Sequence, residues 1–384
     1  MLSVSELATA LPKAGGAYYF LERALGPAVG TVAGFGTWLS LVLKDAFAMV
    51  GMSAYLVLIL DVNATWLAMA LIAFFTFINV VGSKASASVQ LAMVAFVIAA
   101  MGWFLVEGLW ETQSRSLADT NLDPFFTTGG SGVMAVGGLV FVSYGGLTKV
   151  ASAAEEVEDP SHRIPLGMAL SLGVATLLYT LGVLVAVVVV PPEQLHQDLA
   201  PIHTAAQAVL PPLGVGLIVL AALAAFASAV NAGIMAAARY PMAMAQDGLL
   251  PKGLGGISKF GTPMVGVVTT GSAIAIVVLV FDAEAIAKLA SAFVLLTLGL
   301  VNLAVLVLRA SRIQSYAPAF RAPLYPVTQF AGIGVSVYLI WQLGSVPQLF
   351  VLAVSAVAWA WHHFYAQGRT KRAGAIRHVF ERWG

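Results

Sequence analysis

The stretch that decides the fold runs from Met134 to Pro165. It begins as Gly137-Gly138-Leu139-Val140-Phe141-Val142, meets Ser143-Tyr144-Gly145-Gly146, and continues as Leu147-Thr148-Lys149-Val150-Ala151-Ser152-Ala153-Ala154 before Glu155-Glu156-Val157-Glu158-Asp159-Pro160. Its apolar flanks read as a helix in a bilayer, where every backbone N–H and C=O needs a partner. Two adjacent glycines at its centre oppose that, since each lowers helix stability by about 1 kcal/mol against alanine. A helix interrupted at membrane depth is tolerated where it is packed in protein or lines a cavity, and such breaks point to a transporter's substrate site. The spacing therefore predicts a broken helix at a binding site. The other reading of the glycine pair is close packing against a neighbouring helix.

Composition agrees with the bilayer. Of 384 residues, 60% are hydrophobic and 10% charged, and the mean hydropathy is +0.91. Soluble domains carry about 25% charged residues, so the chain reads as a polytopic, all-α membrane protein with about ten full spans. There is no cysteine, which excludes disulfides, thiolate metal sites and a cysteine nucleophile. A net charge of +1 gives no reason to expect nucleic acid.

The chain opens with an apolar stub, Met1 to Leu11, that is too short to span and contains Glu6. It lacks the basic leading region and cleavage site of a signal peptide, and reads as the second half of a helix. Pro12 to Pro27 mixes charged and aromatic residues and suits a helix at the membrane surface. Spans follow at about 28–60, 65–81 and 85–109, then a polar loop over 111–123 and the broken helix. Pro165 opens a span to Val190, and 193–210, with His196, Asp198 and His203, reads as an extramembrane hairpin or lid. Those histidines lack metal-ligand spacing. A span over 212–239 carries a small-residue stripe of Ala221, Ala224, Ser228, Asn231 and Met235, and 240–262 reads as a second surface segment. The remaining spans are 263–281, 285–308, 327–343 and 348–365, so residues 1–366 form the membrane domain and 367–384 a basic tail.

Lysine and arginine set the orientation. With the first surface segment inside, alternating spans place Lys13, Arg23, Lys84, Lys149, Arg163, Arg239, Lys252, Lys259, Arg309, Arg312, Arg321 and the tail on that side. Only Arg115 and Lys288 fall outside, as the positive-inside rule requires. This predicts a multi-pass cell-membrane protein with a cytoplasmic C-terminus. Pro12–Pro27 and Pro191–Pro212 are long helical connections on opposite sides, a pairing expected of an inverted repeat.

The chain resembles the amino acid–polyamine–organocation permeases over nearly its whole length. Three blocks carry the likeness. They are Glu6-Leu7-Ala8-Thr9-Ala10-Leu11-Pro12-Lys13-Ala14-Gly15-Gly16-Ala17-Tyr18, then Phe141 to Gly146 with Ala153 to Val157 and Asp159 to Pro165, and finally Arg239 to Pro263 with Ala243-Met244-Ala245-Gln246-Asp247-Gly248-Leu249-Leu250-Pro251. Gly374 to Arg382 resembles the junction in members that carry a soluble stress-protein-like domain. The resemblance implies an inverted-repeat (5+5) transporter fold with two extra C-terminal helices. It implies an amino acid, or a related amine, held between the broken first and sixth helices, with proton coupling or exchange. This sequence lacks the first helix and part of the second, which in the family include a glycine-rich loop that receives the substrate carboxylate. The expectation is either a fragment of a permease or a protein that no longer transports.

The candidate substrate-binding residues are Val142, Ser143, Tyr144, Gly145, Gly146 and Leu147. Unwound backbone there offers carbonyls to an ammonium group and, where the helix restarts, N–H groups to a carboxylate. Candidates for proton or ion coupling are Lys44, Asp45, Ser228 and Asn231. A cation at the bilayer centre costs about 2.5–3.5 kcal/mol on insertion scales, so Lys44 is either a proton carrier, a stand-in for a sodium ion, or half of a structural pair. It shares a small, polar stripe with Gly34, Thr37, Ser40, Ala48, Gly51 and Tyr55. Asp45 lies about 100° away, beside Trp38 and Met49. Lys13, Glu155, Glu156 and Arg239 are candidates for a cytoplasmic gate. Nothing in the sequence calls for a cofactor or metal, and no paired-carboxylate, zinc or nucleophile–base pattern suggests an enzyme. The sequence reads as a secondary amino-acid transporter working by alternating access between lipid-embedded helices. The alternative is a non-transporting membrane sensor or assembly protein that keeps the permease fold.

Overall fold

The computed structural model describes residues 1–11, 16–82, 87–114, 122, 129–146, 157–196, 198–314, 316–369 and 374–383. Among these, every regular element is helical. In chain order they are α1 (Leu2–Ala10), α2 (Gly16–Leu25), α3 (Pro27–Val57), α4 (Ala64–Val81), α5 (Ala87–Ser114), α6 (Gly129–Tyr144), α7 (Pro160–Val189), α8 (Pro192–Leu195) and α9 (Pro201–Val209). They continue as α10 (Pro212–Gln246), α11 (Met264–Val280), α12 (Ala283–Ser311), α13 (Val327–Gln342), α14 (Ser345–Trp361) and α15 (Ile376–Trp383). By length and composition, α3, α4, α5, α7, α10, α12 and α14 are seven candidate membrane spans, and α6 and α11 are shorter apolar helices.

Local chemistry sets many of the boundaries. Gly26 takes φ +93°, a left-handed conformation that glycine adopts without strain, and Pro27 starts α3 with its fixed φ. The Asn63 side chain accepts from Thr65 N–H and Trp66 N–H to start α4, and Gly82 at φ +83° ends it. Asp282 caps α12 by accepting from Ala285 N–H at 2.7 Å.

Two helices are internal. In α3 and α12, 61% and 56% of the most apolar window is buried, against 17–28% in the other five spans. The helix α3 packs chiefly against α10, α12 and α2, and α12 chiefly against α3 and α13. Large apolar side chains on the outer helices, such as Trp66, Phe77, Leu170 and Leu177, are exposed, as a lipid-facing surface requires.

Three helices outrun the sequence reading, the first being α5, which continues to Ser114 into the expected polar loop. The span expected from Pro165 begins at Pro160, which sits at the first helical turn and leaves Pro165 inside α7. The span expected to stop at Arg239 continues through Pro241 to Gln246. An internal proline costs about 3 kcal/mol in a helix, but here the continuation is buried. Met244 and Ala245 pack with Tyr18, and the Tyr18 hydroxyl donates to Asp247 Oδ2 at 2.8 Å. Tertiary packing outweighs the local propensity. The hairpin expected over 193–210 is α8 and α9, the latter packed on α7, α10 and α5. At its start, Asp198 accepts from Ala200 N–H at 2.7 Å and from the Thr204 hydroxyl. The tail turns back onto the α2–α3 corner. Ala375 N–H donates to Arg23 C=O at 2.9 Å, and Gly374 lies against the Gly26 backbone where no Cβ would fit.

One polar cluster ties α1 to the rest. Glu6 is fully buried. Its carboxylate accepts from Arg309 Nε at 2.7 Å, Arg309 Nη2 at 2.6 Å, the Tyr316 hydroxyl at 2.7 Å and Ala322 N–H at 2.8 Å. The Arg309 guanidinium carbon also lies 4.3 Å from the centre of the Tyr325 ring. Nearby, Ser3 donates to Asn302 Oδ1 at 2.7 Å and Phe320 N–H donates to Thr9 Oγ1 at 3.2 Å. Four donors satisfy the buried carboxylate, the condition under which a buried ion pair is tolerated.

Removing one partner of such a pair costs about 3–5 kcal/mol, whereas replacing both by apolar groups is often close to neutral. Glu6→Ala is expected to lower the melting temperature in detergent strongly, and Glu6→Leu with Arg309→Met to recover only part of the loss, since the Tyr316 hydroxyl and Ala322 N–H still lack their acceptor. Equal melting of wild type and Glu6→Ala would contradict the assignment. The cluster also carries a pH signature. Burial, then the hydrogen bond to the Glu6 carboxylate, holds the Tyr316 phenol well above its ordinary value. The folded protein therefore keeps this proton more tightly than the unfolded chain, so the contribution is complete below about pH 10 and fades as pH rises further. The stability difference between wild type and Tyr316→Phe is expected to be constant from about pH 7 to 9 and to shrink above about pH 10.

Candidate functional site

The helix α6 ends at Tyr144, and Gly145-Gly146 form a turn in which Gly145 N–H donates to Val142 C=O at 3.2 Å. The end of α6 falls at the glycine pair, and residues 147–156, over which the helix is expected to resume, lie outside the described residues. Leu147, and the gate candidates Lys13, Glu155 and Glu156, lie outside the described residues. The C-terminal end of a helix at this point carries the negative end of its dipole.

Two neighbouring helices meet that end. From α12, the fully buried Ser291 accepts from Val142 N–H at 2.9 Å and donates to Leu139 C=O at 2.6 Å. One hydroxyl thus bridges a donor and an acceptor of the last turns of α6. Val294, one turn further along α12, stands 3.3 Å from the position a Cβ on Gly145 would take. From α3, the Lys44 side chain runs along the turn. Its Cδ is 3.9 Å from the Cβ position of Gly145, and its Nζ is 3.1 Å from that of Gly146. The glycines are small where a lysine must pass.

The other expected residues divide into groups. Val142 is buried against the core, while Ser143 is exposed. Tyr144 turns to α7, where its ring meets Tyr179 edge-on with centroids 5.5 Å apart and its hydroxyl lies 3.4 Å from Thr176 Oγ1. Its side chain therefore leaves the Lys44 side of the turn. Asp45 is buried and faces α10, where its carboxylate fills the place of a Cβ on Gly233. The Asn231 side chain accepts from Asn79 Nδ2 at 3.0 Å, and the same Asn79 Nδ2 donates to Phe75 C=O at 2.8 Å. Asn231 therefore joins α10 to α4. Ser228 is half-buried on α10, and Arg239 is exposed near its end. Lys44 thus joins the α6 turn, whereas Asp45 and Asn231 belong to the contacts of α10.

Sequence reasoning missed Ser291 and Val294. The signal for Ser291 was slight, a single hydroxyl within Ala290-Ser291-Ala292 on an apolar helix.

A family model for amino acid permeases matches residues 1–366. The chain is 28% identical to "Cationic amino acid transporter 2, vacuolar" of Arabidopsis thaliana, over 83% of this chain and 52% of that protein. It is 26% identical to "Branched-chain amino acid permease BcaP" of Bacillus subtilis (strain 168), over 96% of this chain and 83% of that one. The protein of that same name from Lactococcus lactis is 25% identical over 97% and 84%. The chain thus spans about half the length of the plant relative and most of the length of the bacterial ones.

Deleting the Ser291 hydroxyl removes the two hydrogen bonds that tie α12 to the last turns of α6, each contributing about 0.5–1.5 kcal/mol. Ser291→Ala is expected to lower the melting temperature and to speed amide hydrogen exchange at Val142 relative to distant helices. Unchanged exchange at Val142 would show that the bridge does not hold the end of α6.

Proposed function

The chain belongs to the amino acid permease family, and on that premise we propose that it carries amino acids across the cell membrane by alternating access. The observation that carries this reading is the end of α6 at Tyr144–Gly146, inside the protein, met by Lys44 of α3 and Ser291 of α12. The carbonyls at that end suit the substrate ammonium. Val142, Ser143 and the backbone of Tyr144 to Gly146 form the seat in this reading, with Leu147 a further candidate from the sequence alone.

Protons drive the cycle in this reading, with Lys44 as the first coupling candidate because its ammonium reaches the turn itself. Asp45, Ser228 and Asn231 are further candidates through the α3–α10 contact. Lys13, Glu155, Glu156 and Arg239 serve the cytoplasmic gate, and the tail over 367–384 is cytoplasmic, following the distribution of lysine and arginine. The protein moves a solute and is not an enzyme.

The test is uptake of radiolabelled amino acids into proteoliposomes, with and without an inward proton gradient. Accumulation that depends on the gradient is the expected result. Binding of an amino acid without any uptake would overturn the transporter reading in favour of a membrane sensor.

A further inference from the structure

We propose that the tail, held against the α2–α3 corner, presents Arg369 and Arg377 as a seat for the headgroups of anionic lipids in the inner leaflet. The inference rests on the proposed cytoplasmic placement of residues 367–384 and is independent of the proposed substrate seat.

The tail is basic, and it is fastened. It carries Arg369, Lys371, Arg372, Arg377 and Arg382 against one acidic side chain, Glu381. Like charges in so short a run repel one another and favour an extended, solvated segment. Here the backbone is instead held at two points. At the first, the Arg369 carbonyl lies 3.5 Å from the Cβ position of Gly248, just past α10, and the Arg369 guanidinium carbon lies 4.1 Å from the centre of the Tyr365 ring. At the second, the buried Ala375 donates its N–H to Arg23 C=O at 2.9 Å, and Gly374 rests on the backbone of Leu25 and Gly26. Ile376 then packs on the apolar cluster that includes Leu7, Phe20 and Leu308, and α15 lies against α12. Small residues seat the strap, while Arg369 and Arg377 are exposed.

The residues just before the tail set its level in the bilayer. Trp359, near the end of α14, and Phe364 beyond it are 58% and 87% exposed. Large aromatic side chains at the end of a span sit at the headgroup level. Arg369 follows Phe364 by only five residues, so the first cation of the tail comes where lipid phosphates are. Anionic headgroups complement basic side chains at that surface, and each lysine or arginine adds to the attraction. Arg23 of α2 contributes less, because the buried Glu22 carboxylate stands 3.6 Å from its Nε.

The experiment titrates the full chain in detergent with dioleoyl phosphatidylglycerol or dioleoyl phosphatidylcholine and counts bound lipids by native mass spectrometry. Wild type is expected to bind the anionic lipid at least about tenfold more tightly. Arg369→Ala with Arg377→Ala is expected to reduce that preference by about fivefold or more, and Arg369→Lys with Arg377→Lys to keep it. Arg163→Ala with Lys259→Ala, which removes as much exposed charge at other corners, is expected to leave it unchanged. Gly374→Val keeps every charge but puts a side chain onto the Gly26 backbone, and is expected to weaken the preference as the double alanine variant does. Equal affinity for the two lipids in wild type would overturn the inference. So would a double alanine variant that matches the Arg163–Lys259 control, or a Gly374→Val protein with its preference intact. If Gly374→Val does not fold, the double alanine variant and its control decide. The placement is tested separately with Gly384→Cys, in a chain that has no other cysteine. Labelling by an impermeant maleimide only after cells are permeabilised is expected. Labelling of intact cells would overturn the cytoplasmic tail and this inference with it, whereas a lost lipid preference alone leaves the proposed transport standing.

Discussion

A helix that ends in apolar surroundings has carbonyls with no donor from its own backbone, and water is not there to supply one. Polar groups of the interior stand beside the last turns of α6. Ser291 supplies a hydroxyl that takes Val142 N–H and gives to Leu139 C=O. Lys44 brings its side chain along the turn, with Nζ over Gly146. Both come from the two most buried spans, α12 and α3, so the groups that tolerate the break stand on the elements least exposed to lipid. The glycines complete the arrangement from the other side, since a side chain at Gly145 would meet Val294 and one at Gly146 would meet the lysine.

The helix α12 is the common partner of the two segments that most need support. At one level it holds the end of α6 through Ser291, and nearer its own end it holds α1 through Arg309. Apolar packing against α3 fills the interval, with Phe293 against Gly36 and its ring edge-on to Phe350 of α14. The short helix α1 has a modest apolar surface of its own, and its place is fixed by the four donors around Glu6. Hydrogen bonding gives position here, while burial of apolar surface gives most of the attraction.

Much of this was legible in the sequence, for identifiable reasons. A glycine pair between two apolar runs violates what a continuous membrane helix needs, so the end of α6 at Tyr144 was readable from composition alone. A lysine in the middle of an apolar span draws notice for the same reason. The positions that escaped notice depend on partners far away in the chain. Glu6 reads only as an anomaly until Arg309, 303 residues on, is seen beside it. Ser291 looks like any small residue on a packed helix. Pro241 looks like the end of a span because the burial of Met244 against Tyr18 is invisible to local propensity. The side chain of Tyr144 illustrates the converse, since a residue placed at the break by sequence directs its ring to α7.

The central claim is that an amino acid sits at the end of α6 beside Lys44. The most direct measurement is a cryo-EM structure of the protein in lipid nanodiscs, with a saturating amino acid chosen from an uptake screen. Ligand density is expected beside the Tyr144–Gly146 turn, with the ligand ammonium toward the end of α6. Ligand density elsewhere, for instance between α4 and α10 at the Asn79–Asn231 contact, with the α6 turn filled only by Lys44, would contradict it.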